Sequence, residues 1–210
     1  MSQIRRLLAL PVLLAFSLSD RQDLIAADVK RWAEIEGRSP EVRRTLVDLV
    51  AERPQFRNLL YHRLWNGNTA GRVVGRACLV MLPREHTLYL NSGDIGPGLY
   101  LHHAFATIVA AEHIGANVVI NQQVTIGFTA TDEGTLNTPT IEDGATISAG
   151  AKVIGKVRVG RDATVGANAV VTKDVPDGMV AVGVPAVARE PGRHPHPKGL
   201  AGPGVDFDGE

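Results

Sequence analysis

The chain has 210 residues, enough for one domain or for a small one beside a larger one, and its 22 basic residues balance 22 acidic ones. A net charge of zero argues against nucleic acid as the main partner, which would need a basic excess. One cysteine, Cys78, leaves no disulfide framework and no zinc cluster, so a reducing cytoplasm is the expected compartment.

Residues 5–19 read RRLLALPVLLAFSLS, two arginines ahead of an apolar run. The run is too short to span a membrane, and no A-x-A cleavage site comes after it. A buried or oligomer-contacting helix is the reading; peripheral membrane contact by residues 5–19 and a cleaved signal are the alternatives. From Asp20 to about Cys78 the pattern is helical. Leu24, Ile25, Val29 and Trp32 share one helix face, and Ser39-Pro40 reads as a helix start with Ser39 as N-cap. Leu46, Leu49 and Val50 continue that helix until Arg53-Pro54 ends it. Phe56, Leu59, Leu60, Arg63 and Leu64 form another, Gly67-Asn68 is a turn, and Val73 to Met81 leads into the repeating part of the chain. Residues 1–81 are therefore expected to be a helical domain that caps a solenoid.

From Ile95 to Val175 the chain repeats every six residues. Large aliphatics fall at Ile114, Ile120 and Ile126, then at Ile141, Ile147, Val153, Val159, Val165 and Val171. Small or branched residues stand four positions on, at Ala145, Ala151, Val157, Ala163, Ala169 and Val175. A period of six suits neither an α-helix nor a long strand. It suits a parallel β-helix, one short strand per hexapeptide and a tight corner after it. The fold class is mainly β, with residues 82–190 as the β-helix domain. The tail, 191–210, is rich in Gly and Pro and is expected to be disordered; His194 and His196 there are weak evidence for metal.

Two breaks in the period locate the chemistry. Upstream the repeat reads Ile108, Leu101, Ile95, with a step of seven from Leu101 to Ile108, so one residue is inserted at His102-His103-Ala104-Phe105. An inserted residue is a bulge, and bulges re-aim side chains beside functional sites. The second break, fifteen residues from Ile126 to Ile141, is a loop over about 128–139 that leaves the prism and returns. Its length keeps the order of the three faces.

The stretches Ile95-Gly96-Pro97-Gly98-Leu99-Tyr100-Leu101-His102-His103, Gln123-Val124-Thr125-Ile126-Gly127, Ala149-Gly150-Ala151-Lys152-Val153-Ile154-Gly155, Gly166-Ala167-Asn168-Ala169-Val170-Val171 and the closing Val182-Gly183-Val184-Pro185-Ala186 carry a resemblance. With the helical front and the looped-out break, the chain resembles the serine O-acetyltransferase branch of the hexapeptide acyltransferases, and within it the serine-acetyltransferase-like enzymes of polysaccharide clusters. The resemblance implies a left-handed β-helix, a homotrimer or dimer of trimers, active sites between neighbouring subunits, and acetyl-CoA as acyl donor to a small hydroxyl-bearing substrate. It puts the catalytic histidine on His103. The residue before it, aspartate in housekeeping serine acetyltransferases, is His102. The family's carboxylate clamp, an arginine and a histidine, falls on Asn137 and Thr138, and the aspartate that pairs with the base falls near Leu88. These departures predict free serine to be a poor acceptor.

Acyl transfer to a hydroxyl needs a base, and a neutral imidazole serves near pH 7. From the residues alone either His102 or His103 qualifies. Counting eighteen residues per coil places Glu85 and His86 one coil before the pair, which makes Glu85 the candidate to orient the base. Asn121 and Gln122 fall one coil after it and are candidate acceptor contacts or a polar side-chain ladder. His102 and Asn137 complete the substrate set. For acetyl-CoA the resemblance points to Gly127, Phe128, Ala149 and Ala167. Glu112 matches a family glutamate or is a solvated turn residue, and Lys152 and Lys173 are surface lysines near where phosphates would lie. No metal and no covalent nucleophile are expected. The competing classes are transfer to a sugar or other small metabolite, a non-catalytic hexapeptide scaffold, and a β-helix metal site built on His102, His103 and His113, which adjacent residues serve badly.

Overall fold

The computed structural model describes residues 2–131 and 133–192; the tail from 193 on, with His194 and His196, lies outside the described residues. The apolar spacing of the first third yields six helices, α1 (Ser2–Ala9), α2 (Val12–Leu18), α3 (Gln22–Glu36), α4 (Val42–Glu52), α5 (Pro54–Trp65) and α6 (Thr69–Met81). The apolar run is two helices, because Pro11 lacks the N–H that one continuous helix would need there. One side of the pair, with Ala9, Val12, Ala15 and Phe16, is buried, while Leu7, Leu10 and Leu14 stay exposed. No helix among the described residues is long and apolar enough to cross a membrane.

One local expectation fails here for an identifiable reason. Ser39 does not cap α4; Glu41 does, its carboxylate accepting from the N–H groups of Arg43 and Arg44 at 3.1 and 2.9 Å. A carboxylate at that position satisfies two orphan donors, and Ser39 instead offers its carbonyl to Thr45 Oγ1 at 2.7 Å. Residues 73–81, which lead into the coil, form most of α6, started by Asn68, whose side chain accepts from Gly71 N–H. Pro54 sits at the first turn of α5, as its missing N–H favours.

Then come sixteen strands of two or three residues: β1 (Leu88–Leu90), β2 (Tyr100–Leu101), β3 (Thr107–Val109), β4 (His113–Ile114), β5 (Val119–Ile120), β6 (Thr125–Gly127), β7 (Thr129–Ala130), β8 (Leu136–Asn137), β9 (Thr140–Ile141), β10 (Thr146–Ile147), β11 (Lys152–Ile154), β12 (Arg158–Val159), β13 (Thr164–Val165), β14 (Val170–Val171), β15 (Val180–Val182) and β16 (Val187–Arg189). Each strand is short, and the chain is a helical segment joined to a largely parallel β coil. The coil has three parallel faces. The first runs β1-β3-β6-β11-β14, the second β2-β5-β10-β13-β15 with β16 antiparallel at its end, and the third β4-β9-β12. Inward ladders stack in register: Val109, Ile126, Val153 and Val171 on the first face, Leu101, Ile120, Ile147 and Val165 on the second, Ile114, Ile141 and Val159 on the third. All are buried, and Ala145, Ala151, Ala163 and Ala169 fill the corners between them.

The corners need left-handed backbone. At Gly150 φ is +73°, and a Cβ there would meet Asn168 Oδ1 at 2.0 Å, so the next coil could not approach. The first break differs from its sequence reading. Val109, not Ile108, points inward; Ile108 is exposed on the outer face. Leu101 to Val109 is thus eight residues and Val109 to Ile114 five, so the bulge is one residue larger than expected and the next corner is tightened to compensate. The second break is a hairpin, β7 paired antiparallel with β8, projecting from the corner between the first and third faces.

Arg63 and Asp28 fasten the helices to the coil. Arg63 Nε donates to Asp28 Oδ2 at 2.9 Å, and both side chains are almost wholly buried. Arg63 Nη1 and Nη2 donate to the carbonyls of Ile95 and Gly96, and Asp28 Oδ1 accepts from Gly98 N–H at 2.7 Å. Asp28→Ala strands the guanidinium without its counter-charge, a defect that costs about 3–5 kcal/mol. Urea unfolding should show that loss, with part recovered in Asp28→Ala/Arg63→Met; a loss near zero would mean the junction does not depend on the pair.

Candidate active site

The second face begins at β2, so no coil lies beneath the histidines that come after it. The helices cover that edge instead. Trp32 Nε1 on α3 donates to Leu99 O at 2.9 Å, and its ring packs edge-on against Tyr100 at 4.6 Å. Burial pushes the Tyr100 phenol up to about 12, so it stays neutral. Between the helices and β2 lies a cleft of about 360 Å³ whose walls include Trp32, Glu36, Glu52, Arg53, Tyr100, His102 and His103.

The bulge presents both imidazoles to this cleft. His103 has φ +55°, a left-handed conformation uncommon outside glycine, and Ala106 repeats it at +49°. The turn is held from below by Thr87, whose Oγ1 accepts from Ala106 N–H at 3.0 Å and whose carbonyl accepts from Thr107 N–H at 2.9 Å. The rings of His102 and His103 lie 4.3 Å apart, and His102 stacks on Tyr100 at 5.8 Å.

His102 has a fixed tautomer. Asn121 Nδ2 donates to Ile147 O at 3.1 Å, which turns Asn121 Oδ1 toward His102 Nδ1 at 2.9 Å. A carboxamide oxygen only accepts, so Nδ1 carries the hydrogen and Nε2 is left as an acceptor. His103 is exposed, and its pKa lies below the ordinary imidazole value. Partial burial is the main cause; the neighbouring His102 and Arg53 push the same way, while Glu36 opposes them. His103 is therefore neutral at pH 7.

Register brings part of the expected neighbourhood together. Leu101 pairs with Ile120, Ile147 and Val165 in turn, so His102, Asn121 and Ser148 stack along one edge, and His103, Gln122, Ala149 and Ala167 along the next. Glu85 is not where coil counting put it. Its carboxylate accepts from Thr87 N–H and Thr87 Oγ1 at 3.1 and 2.8 Å, so it braces the turn through Thr87 and does not touch an imidazole. The count failed because the first coil starts at β1 on another face. Leu88, at the family's aspartate position, is buried core.

The remaining candidates do not join the cleft. Gly127 and the exposed Phe128 lie at the far end of the first face, across it from Ala149 and Ala167, and Asn137 sits on the hairpin opposite Thr129. One copy of the chain thus leaves the expected acetyl-CoA set in two groups. The Gly127 position is open, since a Cβ there would meet nothing nearer than Ile154 Cδ1 at 3.5 Å, and Ala149 and Ala167 are accessible small residues, so both groups suit a narrow pantetheine arm. His113 is elsewhere, its Nδ1 on Asp94 Oδ2 at 2.6 Å on the third face. Cys78 is buried, and burial pushes its thiol up, which makes it a poor nucleophile. Sequence reasoning missed Glu36, Glu52 and Arg53. They lie far from the histidines in sequence, and no local pattern marks them.

Asn121→Ala removes the partner of His102 Nδ1. Nitrogen NMR should show His102 protonated at Nδ1 in the wild type and shifting toward the ordinary tautomer mixture in the variant. A wild-type His102 already protonated at Nε2 would show that Asn121 does not orient it.

Residues 138–173 match the bacterial transferase hexapeptide (six repeats) family. The chain is 34% identical over 150 residues to the serine acetyltransferase of Mycobacterium tuberculosis, covering 67% of this chain and 63% of that protein. A soybean serine acetyltransferase solved with serine superposes with TM-score 0.60 at 28% identity, covering 80% of this chain and 68% of that one. A serine acetyltransferase complex with CoA superposes at 0.55 and 28% identity, with the same coverage. The chain spans 63% or less of the length of the curated relatives it matches. The six-residue solenoid, the helical segment over its first edge, the looped-out hairpin and these likenesses make the chain similar to the serine O-acetyltransferase branch of the hexapeptide-repeat acyltransferases.

Proposed function

We propose that the chain is an acetyl-CoA-dependent O-acetyltransferase of the serine acetyltransferase type. One observation carries the reading: the bulge after β2 turns two adjacent imidazoles into a cleft closed by the helices, at the position where the family has its base. In this reading the acceptor hydroxyl lies against His103. The neutral imidazole takes the hydroxyl proton as the oxygen attacks the thioester carbonyl. The tetrahedral oxyanion collapses, the carbon–sulfur bond breaks, and the imidazolium returns its proton to the leaving thiolate. The products are an O-acetyl ester and free CoA. His102, held by Asn121, presents a bare Nε2 as a hydrogen-bond acceptor beside the base. Gln122 lines the same edge.

The division of the acetyl-CoA set supports a homotrimer or dimer of trimers, in which one copy's hairpin and Gly127-Phe128 corner face the next copy's histidine edge. The coil is read as left-handed, the two parts as a helical domain (1–81) and a β-helix domain (82–190), and the compartment as cytoplasmic. Asn137 and Thr138, in place of the clamp, keep a sugar or other small-metabolite hydroxyl as the second reading of the acceptor.

The test compares two variants with acetyl-CoA and a panel of hydroxyl acceptors, tracking free CoA. His103→Ala should lose about 10²–10⁴ in turnover, with acetyl-CoA affinity and melting little changed, while His102→Ala acts mainly on acceptor affinity. Because the pKa of His103 is lowered, kcat/KM should rise with pH through a group below about 6.5 and be flat by neutrality. A dead His102→Ala beside a near-normal His103→Ala reverses the roles; two active variants leave the reaction without its base.

A further inference from the structure

The position that the family uses to grip a carboxylate is neutral here, and Asn137 lies on the hairpin, outside the histidine cleft. The cleft has its own cation. Arg53 stands at the corner between α4 and α5, where it ends one helix and precedes Pro54 of the next. Its Nε donates to both Glu36 oxygens, at 3.0 and 3.2 Å, which sets the plane of the guanidinium. Among the described residues its two terminal nitrogens make no hydrogen bond, and its side chain is 45% exposed into the space it shares with His102 and His103. Arg38 is used differently. It spans Glu36 and Glu52 at 2.6 and 2.9 Å and is largely covered. Arg6 also approaches Glu52, at 3.6 Å, so the carboxylates are shared among arginines, and Arg53 is the one of these arginines that lines the cleft with the imidazoles.

Resting on the acetyl-transfer reading above, we propose that Arg53, from the helical segment, does here the gripping of the acceptor's carboxylate that the loop does in the family. A guanidinium fork matches a carboxylate with two parallel N–H···O bonds, a geometry that an uncharged hydroxyl does not reward. The anchor comes from the helical segment, whereas the family's clamp comes from the loop, so the sequence loses the clamp without the site losing its anion. Binding also tunes the base. After partial burial and His102, Arg53 is the next cause that lowers the His103 pKa in the free protein. A carboxylate seated on Arg53 offsets that charge and leaves the imidazole more basic when the hydroxyl arrives.

The test uses L-serine against serinol, which keeps the hydroxymethyl and amino groups but lacks the carboxylate. The wild type should prefer serine in kcat/KM. Arg53→Gln should cut that preference by about 10–100-fold, the worth of one charged contact, with the KM for acetyl-CoA unchanged. Arg53→Lys keeps the charge without the fork and should fall between them. With serinol as acceptor, the pH limb of kcat/KM should move up in Arg53→Gln, as the His103 pKa rises. Calorimetry of serine and serinol binding separates this from the transfer reading. If the wild type binds serine over serinol and Arg53→Gln abolishes the difference, the anchor stands even where no acetyl is transferred. If Arg53→Gln leaves the serine-to-serinol ratio unchanged in both binding and turnover, Arg53 is not the anchor.

Discussion

The joint between Arg63, Asp28 and the backbone from Ile95 to Gly98 decides where everything else sits. An ion pair buried this deeply is not a cheap source of stability, because removing two charges from water offsets most of their attraction. It is a strong source of geometry. Arg63 uses its fork on both Asp28 oxygens and on two carbonyls, and Asp28 adds Gly98 N–H, so α3, α5 and the first coil share one set of hydrogen bonds. Gly98 has φ +78°, and a Cβ there would meet Asn117 Oδ1 at 2.4 Å, so the coil's own corner leaves little room for an alternative. Two residues later β2 begins, and two more bring the histidines. Their placement against Glu36 and Arg53 is thus set within a few residues of the ion pair.

A solenoid has a problem at each end, since an end strand offers unpaired backbone groups and an uncovered core. This chain solves the two ends differently. At the far end β16 turns back antiparallel on β15 and closes the second face with its own backbone. At the near end β2 has no strand beneath it, and α3 covers it through Trp32 on Leu99 O. A helix cannot fit a strand edge as closely as another strand can, because its side chains hold it off. The space left over is the cleft. The candidate site therefore lies at the first coil, the one place where the repeat meets something other than itself.

The six-residue period made the coil legible, because an inward aliphatic every sixth residue has no other simple explanation. Its corners were legible too, down to Asn121 standing over His102. Legibility ended where the period ended. Ile108 and Val109 are adjacent aliphatics, and only the pairing of Val109 with Ile126 tells which points inward. Glu85 was placed by counting down one coil, and at the first coil there is none to count. Glu36, Glu52 and Arg53 are far from the histidines in sequence and sit in charged helical stretches that resemble any solvated surface. Ser39 shows the same limit on a smaller scale, since a better cap two residues on displaced it.

The electrostatics of the cleft arise from this architecture. A histidine on an open corner of the coil would titrate as it does in water. Placed under the helices, His103 loses part of its hydration, and a protonated His102 or Arg53 beside it opposes a second positive charge. Glu36, which also pairs with Arg38 and Arg53, acts the other way but is the smallest of these effects. The lowered pKa keeps His103 unprotonated at neutral pH, the form that a general base needs. The same arrangement makes the base responsive to bound anions. Arg53 and Glu36 come from the helices rather than from the coil, so an anion that reaches Arg53 alters the imidazole without moving the backbone that carries it.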